Sequence, residues 1–199
     1  MMHMAGLIGL HLEVSRALFQ QLIPFNLILS ALILAWFHRE WNMGFLLFCF
    51  GTFWLGYGME VAGVHTGKIF GVYRYGESMG IKLAGVPPMI GLQWLVVVYC
   101  AGLVSRQWLG PWWAWVSLGA LITTLLDALI EPMAITQNMW TWQGGMPPFQ
   151  NYVAWFVISW VMLAIMALLK EQFANPLARR YLLIQLVFFA GFRVIAWAV

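Results

Sequence analysis

Long apolar runs separated by short polar segments dominate the chain. A helix needs about 20 apolar residues to cross roughly 30 Å of hydrocarbon, and such stretches recur along the sequence. They cover residues 18–37, 43–62, 86–105, 111–131, 149–169 and 181–199. The pattern therefore predicts an all-α fold: an integral membrane bundle of about six transmembrane helices, in a single domain over residues 1–199. We expect the residues before the first stretch to form an interfacial lead-in, because they lack the features of a cleaved signal peptide.

Two of the connections differ from the others. Residues 63–85 form a long, Gly-rich segment that carries charge, and residues 132–148 are rich in Pro, Gly and Trp. Helix is not expected through either segment, and irregular backbone is not tolerated where it faces lipid. Because the two loops follow the second and fourth helices, both are predicted on the same face of the membrane, folded at the interface or back onto the bundle.

Basic residues give the predicted orientation. The short connections on the opposite face carry Arg39, Arg106, Lys170, Arg179 and Arg180. The first unusual loop adds Lys68, Arg74 and Lys82, which weakens the asymmetry. If those three serve a site, the positive-inside rule favours placing the short basic loops in the cytoplasm, across a bacterial or archaeal cytoplasmic membrane.

The amino-acid composition also indicates that the helices are surrounded by lipid rather than by water. Of 199 residues, 63% are hydrophobic and 9% are charged, whereas soluble domains carry about a quarter charged residues. The net charge of +3 comes without any basic run, so the sequence has no footprint for nucleic acid. Cys49 and Cys100 lie in apolar runs, which favours two buried small side chains over a redox pair. The histidines lack ligand spacing, so we expect no metal site.

Three carboxylates lie near the ends of apolar stretches, on the side of the unusual loops. Glu60 ends the second stretch, and Asp127 and Glu131 share one helical face at i, i+4. Ionisable groups in a spanning helix are costly and by default indicate function. The alternative is that they are interfacial charges that pair with Arg74 and Lys82. Burial of several carboxyls together favours a neutral carboxylic acid, which is what protonation of an unactivated double bond requires.

A carbocation formed in this way would need electron-rich ring faces around it. Aromatic residues on the same side of the bundle are candidates for that role. They are Tyr57, Tyr73, Tyr75, Trp94, Trp140, Trp142 and Tyr152. Each one taken alone is more typical of an interfacial belt or of packing than of a site.

Five segments together carry a recognisable signature. They are residues 60–67 (EVAGVHTG), 70–75 (FGVYRY), 85–94 (from GVP to a tryptophan), 127–142 (from an aspartate to WTW) and 151–156 (NYVAWF). In this combination the chain resembles the membrane carotenoid-biosynthesis family that includes the carotenoid 1,2-hydratases, of the gamma-carotene and bacterioruberin-pathway type. The resemblance covers about residues 55–157.

The resemblance implies an all-helical membrane protein that acts on carotenoids or other long isoprenoids without a metal or organic cofactor. It also implies addition of water to the terminal C1=C2 bond of an acyclic (psi) end, by protonation at C2 and capture of the tertiary cation at C1. By analogy, Asp127 is the general acid, and Glu60 or Glu131 positions the water. Arg74 would hold one carboxylate ionised through a charge-assisted bond, and Asn151 joins the substrate-binding candidates.

Two other functions stay open at this point. A lycopene-cyclase-like carotenoid cyclase or isomerase shares the first protonation but must exclude water. A non-catalytic lipid or carotenoid binder, or a small transporter, is the second. A solute path would place ionisable residues near mid-membrane on several helices, whereas here they gather near one interface, which favours access from the lipid. Membrane lipid and an isoprenoid are the expected partners, and the sequence leaves the oligomeric state open.

Overall fold

The computed structural model describes residues 2–169 and 173–198. Lys170, one of the cations used to predict orientation, lies outside the described residues. Each predicted apolar stretch is helical, and an additional short helix precedes them. In chain order the elements are α1 (Met2–His11), α2 (Glu13–Trp36), α3 (Met43–Thr66), β1 (Tyr73–Tyr75), α4 (Met89–Trp108), α5 (Trp112–Thr136), β2 (Trp140–Trp142), α6 (Phe149–Leu168) and α7 (Ala178–Ala198).

Five of these helices, α2 to α6, are long and apolar enough to cross a membrane. Helix α7 has 21 residues but is not among the five. The predicted all-α membrane bundle is therefore confirmed, whereas the count of six spanning helices is not.

Helix α4 lies at the centre of the bundle. It packs against α2, α3, α5, α6 and α7, and nearly all of its residues between Ile90 and Ser105 are buried. Helix α2, in contrast, leaves many of its apolar side chains exposed. For example, Leu18, Phe25 and Leu32 are 58%, 64% and 61% exposed. Such a face is suited to lipid, because no helix in the described part of the chain covers these apolar side chains.

The two unusual loops pair with each other through β1 and β2. The strands are antiparallel, in the register Tyr73↔Trp142, Arg74↔Thr141 and Tyr75↔Trp140. This pairing confirms that the loops share one face, and it shows that each loop contains a short strand. The approach is close enough to require glycine at position 76, since a Cβ there would lie 1.9 Å from the Asn138 carbonyl oxygen.

Two helices continue beyond their predicted ends. Helix α3 ends at Thr66, and α5 runs through Pro132 to Thr136, so the prediction of non-helical chain from residue 132 is wrong. Proline removes one backbone donor, but spanning helices tolerate it when neighbouring helices and hydroxyl side chains compensate. Here the Thr136 hydroxyl donates to the Pro132 carbonyl at 2.7 Å, and Met133 and Ala134 beyond the proline are buried.

Helix α1 packs into the bundle. It contacts α2 and α7, and the ring of His11 lies 4.4 Å from that of Phe192. Leu10, Phe192 and Met133 form a small buried cluster. The segment that was expected to be an interfacial lead-in is therefore a helix whose side chains pack against residues of α5 and α7.

Candidate active site

Three carboxylates, one on α3 and two on α5, line one small cavity. Because α3 and α5 continue past their predicted ends, Glu60, Asp127 and Glu131 lie inside the helices and are only 3%, 2% and 3% exposed. The cavity has a volume of about 20 Å³. That volume is enough for about one water molecule.

Glu60 accepts three hydrogen bonds. Its Oε2 accepts from the hydroxyls of Tyr73 at 2.5 Å and Tyr75 at 2.7 Å, and its Oε1 accepts from Trp94 Nε1 at 3.0 Å. The indole of Trp94 reaches Glu60 because it lies against the backbone of α3 one turn earlier. A Cβ at Gly56 would be 2.6 Å from that ring, so the glycine makes this approach possible.

The two tyrosines of β1 act as donors to this site. Alternation along the strand turns Tyr73 and Tyr75 to the buried side, with Arg74 between them on the exposed side. Burial raises the pKa of both phenols, and the nearby charge of Glu60 raises it further. Both hydroxyls therefore stay protonated and can donate to the carboxylate.

Glu131 is held by the opposite strand. Its Oε2 accepts from Trp140 Nε1 at 3.0 Å and from Trp142 Nε1 at 2.9 Å. The same alternation that orients the tyrosines turns both indoles of β2 inward. The β1–β2 pairing thus brings the donors for Glu60 and for Glu131 to one place.

Asp127 has a sparser environment. Its Oδ2 accepts one hydrogen bond, from Asn151 Nδ2 of α6 at 2.9 Å, and in the described part of the chain its Oδ1 has no protein donor. Among those residues, too, no group of His, Cys, Asp and Glu side chains is arranged to hold a metal ion. The contacts of the cluster are with O–H and N–H donors.

The predicted cationic partners lie elsewhere. Arg74 is exposed, and its Nε donates to the Thr141 hydroxyl at 3.2 Å, so the prediction that it holds a carboxylate ionised is wrong. Lys82 pairs with Glu77 at 2.7 Å and donates to the Tyr75 carbonyl at 3.0 Å. The alternative in which these two cations neutralise the carboxylates at the interface is wrong for the same reason.

Three of the predicted aromatic residues are not on the cavity lining: Tyr57, Tyr152, and Trp94, which reaches Glu60 through its indole N–H. The hydroxyl of Tyr57 donates to the Leu83 carbonyl at 2.7 Å, where it ties α3 to the first loop. Tyr152 is half-buried on α6, beside Asn151, and does not line the cavity.

Sequence reasoning missed four residues of the lining, which are Phe70, Ile90, Gln93 and Trp155. Trp155 stacks on Trp94 with ring centroids 3.7 Å apart and an interplanar angle of 11°, and it belongs to the signature segment 151–156. Gln93 also lines the cavity. The available signal for Gln93 was an isolated amide within the apolar stretch that forms α4.

A second, larger cavity lies beside the first. It has a volume of about 360 Å³ and is bounded by α1, α2, α4, α5 and α7. Most of its lining is apolar, with Leu126, Ile130 and Met133 contributed by α5. Ligand pockets typically have volumes of about 300–1,000 Å³. Gln93 lines both cavities and therefore marks their boundary.

These features define an integral membrane protein with an acidic site buried beside an apolar cavity. Residues 21–199 match the family described as "Carotenoid biosynthesis protein". Since the match covers most of the chain, the protein belongs to this family of carotenoid-biosynthesis proteins, as the signature segments predict.

One curated relative adds detail. Over 111 residues the chain is 32% identical to the bisanhydrobacterioruberin hydratase of Haloarcula japonica. The alignment covers 51% of this chain and 37% of that protein, so the chain matches well under half of the relative's length. No solved structure matches the chain.

Proposed function

We propose that this protein is an enzyme that adds water to the terminal C1=C2 bond of an acyclic carotenoid end by acid-initiated hydration. The observation that carries the proposal is the cluster of three buried carboxylates around a cavity the size of one water, next to an apolar cavity. A relative named as a hydratase supports the same reaction class. Positive-inside asymmetry favours a site near the outer face of a bacterial or archaeal cytoplasmic membrane.

Asp127 is the proposed general acid. Three negative charges on one buried lining are costly in a medium of low dielectric constant, so at least one carboxyl of the cluster is neutral. Asp127 is the best candidate because it accepts a single hydrogen bond, from Asn151. Its Oδ1 is then the site of the acidic proton, facing the cavity.

Glu131 is the proposed base for water. The two indole N–H groups both bind Oε2, which leaves Oε1 able to accept a proton from a water in the cavity. Its position one helical turn from Asp127 allows the two carboxyls to act on one substrate end.

Glu60 is the proposed stabilising anion. Three donors favour its ionised form, and a fixed negative charge lowers the energy of a cation that forms nearby. The indole of Trp155, which lines the cavity and stacks on Trp94, offers an electron-rich ring for the same purpose.

Asp127 transfers its proton to C2, and the π electrons of the double bond form the new C–H bond, which leaves a tertiary cation at C1. The oxygen of water bonds to C1, and Glu131 takes the proton that water releases. Return of that proton to Asp127 restores the enzyme, and the product is a tertiary alcohol.

The test is production of the chain in cells that accumulate lycopene or gamma-carotene, followed by mass and absorption analysis of the pigments. We expect a product heavier by one water, with an unchanged chromophore because an isolated double bond reacts. Asp127→Asn should reduce product formation by about 100- to 10,000-fold, the usual contribution of a general acid.

Glu77→Gln is the matched control, because Glu77 is an exposed carboxylate on the same face that pairs with Lys82. It should keep full activity at equal protein level. An Asp127→Asn protein with normal turnover would disprove the acid assignment. A new pigment of unchanged mass would indicate cyclisation or isomerisation, and no new pigment from either substrate would favour binding or transport.

A further inference from the structure

The large cavity has an opening toward the lipid. Helices α2 and α7 both pack on α4, and both contribute to the cavity lining. On α2, the lining residues Leu22, Phe25 and Leu29 are 43%, 64% and 42% exposed. An apolar ligand can therefore enter sideways from the hydrocarbon region without crossing a polar surface.

Helix α5 forms the wall between the two cavities. Leu126 and Ile130 face the large cavity, whereas their chain neighbours Asp127 and Glu131 face the small one. A ligand seated in the large cavity lies one helix-width or less from the acids. Gln93 of α4 belongs to both linings, so contact between the two spaces passes this side chain.

Gln93 differs from the other polar groups of the large cavity. His3 and Gln185 hydrogen-bond each other at 2.9 Å, and Asn26 accepts from Ser30 at 3.4 Å. Gln93 is 9% exposed, yet its amide has no hydrogen-bond partner within the part of the chain that the structure describes. Because Gln93 lines both cavities, a ligand group or a water in that space can hydrogen-bond this amide.

On the basis of the proposed function, we infer that the large cavity binds the acyclic hydrocarbon end of the isoprenoid, and that Gln93 binds the oxygen that adds to C1. The hydrocarbon enters between α2 and α7, and its terminal double bond reaches the boundary of the two cavities. There the Gln93 amide hydrogen-bonds the attacking water and then the tertiary hydroxyl of the product. Gln93 is thus a positioning residue for the oxygen.

The cavity is tested by binding of lycopene to purified protein in detergent micelles, measured as pigment absorbance per protein. Leu126→Trp fills the cavity from α5 and should weaken lycopene binding by about tenfold or more. Leu125→Trp is the matched control: Leu125 is the adjacent residue, 55% exposed and outside the lining. It should bind as the unmodified chain does.

A second pair avoids core substitutions. Leu22→Trp places bulk at the opening on α2, whereas Leu18→Trp places it one turn away on an exposed position that does not line the cavity. Only the first should weaken lycopene binding. Equal binding within both pairs, or absence of lycopene binding by the unmodified chain, would overturn the cavity assignment in favour of another occupant such as a lipid acyl chain.

Gln93 is tested by the preference between two probes, 1-hydroxylycopene and lycopene. Gln93→Met keeps the side-chain volume and removes the amide, so lycopene affinity should stay the same. The preference for the hydroxylated probe should fall by about two- to tenfold, the value of one hydrogen bond, and Gln93→Asn should restore part of it. An unchanged preference would overturn the role of Gln93.

These binding measurements do not depend on turnover. If the expected binding pattern appears but no hydrated product forms, the proposed function fails and the binding assignment stands. If hydrated product forms while the variant pairs bind lycopene equally, the proposed function stands and this inference fails.

Discussion

Replacing Tyr75 by phenylalanine removes one of the three hydrogen bonds that the Glu60 carboxylate accepts. The Tyr75 hydroxyl donates to Glu60 Oε2 at 2.7 Å, and both groups are buried. A hydrogen bond to a charged group contributes about 1.5–3 kcal/mol, whereas one between neutral groups contributes about 0.5–1.5 kcal/mol. If Glu60 is the anion of the cluster, Tyr75→Phe should therefore lower the free energy of unfolding by about 1.5–3 kcal/mol.

Tyr57→Phe provides a matched comparison. The Tyr57 hydroxyl also donates at 2.7 Å, but to the neutral carbonyl of Leu83, and the side chain is only half-buried. Its loss should cost about 0.5–1.5 kcal/mol. Reversible unfolding in mixed detergent and SDS micelles, followed by tryptophan fluorescence, measures both values. A Tyr75→Phe cost no larger than that of Tyr57→Phe would refute the ionised state of Glu60.

Three further predictions address the loops and the opposite face. Gly76→Ala should separate β1 from β2, because a Cβ would lie 1.9 Å from the Asn138 carbonyl oxygen. Thermal stability and pigment conversion should both fall sharply. A variant that keeps its thermal stability and its pigment conversion would contradict the close approach. Arg74→Gln should leave conversion within about twofold, since a surface contact of this kind contributes little, and a loss as large as that of an acid variant would restore a role for Arg74 in the site. Burial lowers the pKa of His38, although the carbonyl and the charge of Glu40 act in the opposite direction. The folded state therefore prefers the neutral imidazole ring. The free energy of unfolding should consequently fall as the pH drops below the usual histidine pKa of about 6.5. Thermal unfolding at neutral and mildly acidic pH should show a smaller pH dependence in His38→Gln than in the unmodified chain, and an equal dependence would contradict this.

Much of the fold could be predicted from the sequence because it follows from local patterns. Apolar runs of spanning length predicted helices α2 to α7, and helix counting placed both unusual loops on one face. The end of α5 was mispredicted because the local rule for proline is overridden by burial of Met133 and Ala134 beyond Pro132.

The site was predicted in part. The i, i+4 spacing of Asp127 and Glu131 predicted that both carboxylates lie on one face of their helix. The loop segments 73–75 (YRY) and 140–142 (WTW) supplied aromatic candidates on the same side of the membrane. Their roles could not be read from sequence, because they depend on pairing between strands some 67 residues apart. That pairing turns Arg74 outward and the aromatic side chains inward, so the carboxylates are held by neutral donors instead of an arginine. Gln93 was missed because nothing local distinguishes an unpartnered amide from one that is satisfied in the core.

If the carboxylate cluster adds water to a carotenoid, the oxygen of the product comes from water. Membranes containing the unmodified chain would be supplied with lycopene in water labelled with the heavy oxygen isotope. Acid-initiated hydration predicts a product heavier than lycopene by one labelled water, with the absorption spectrum of the substrate. A product of unchanged mass, or one whose oxygen is unlabelled, would contradict it.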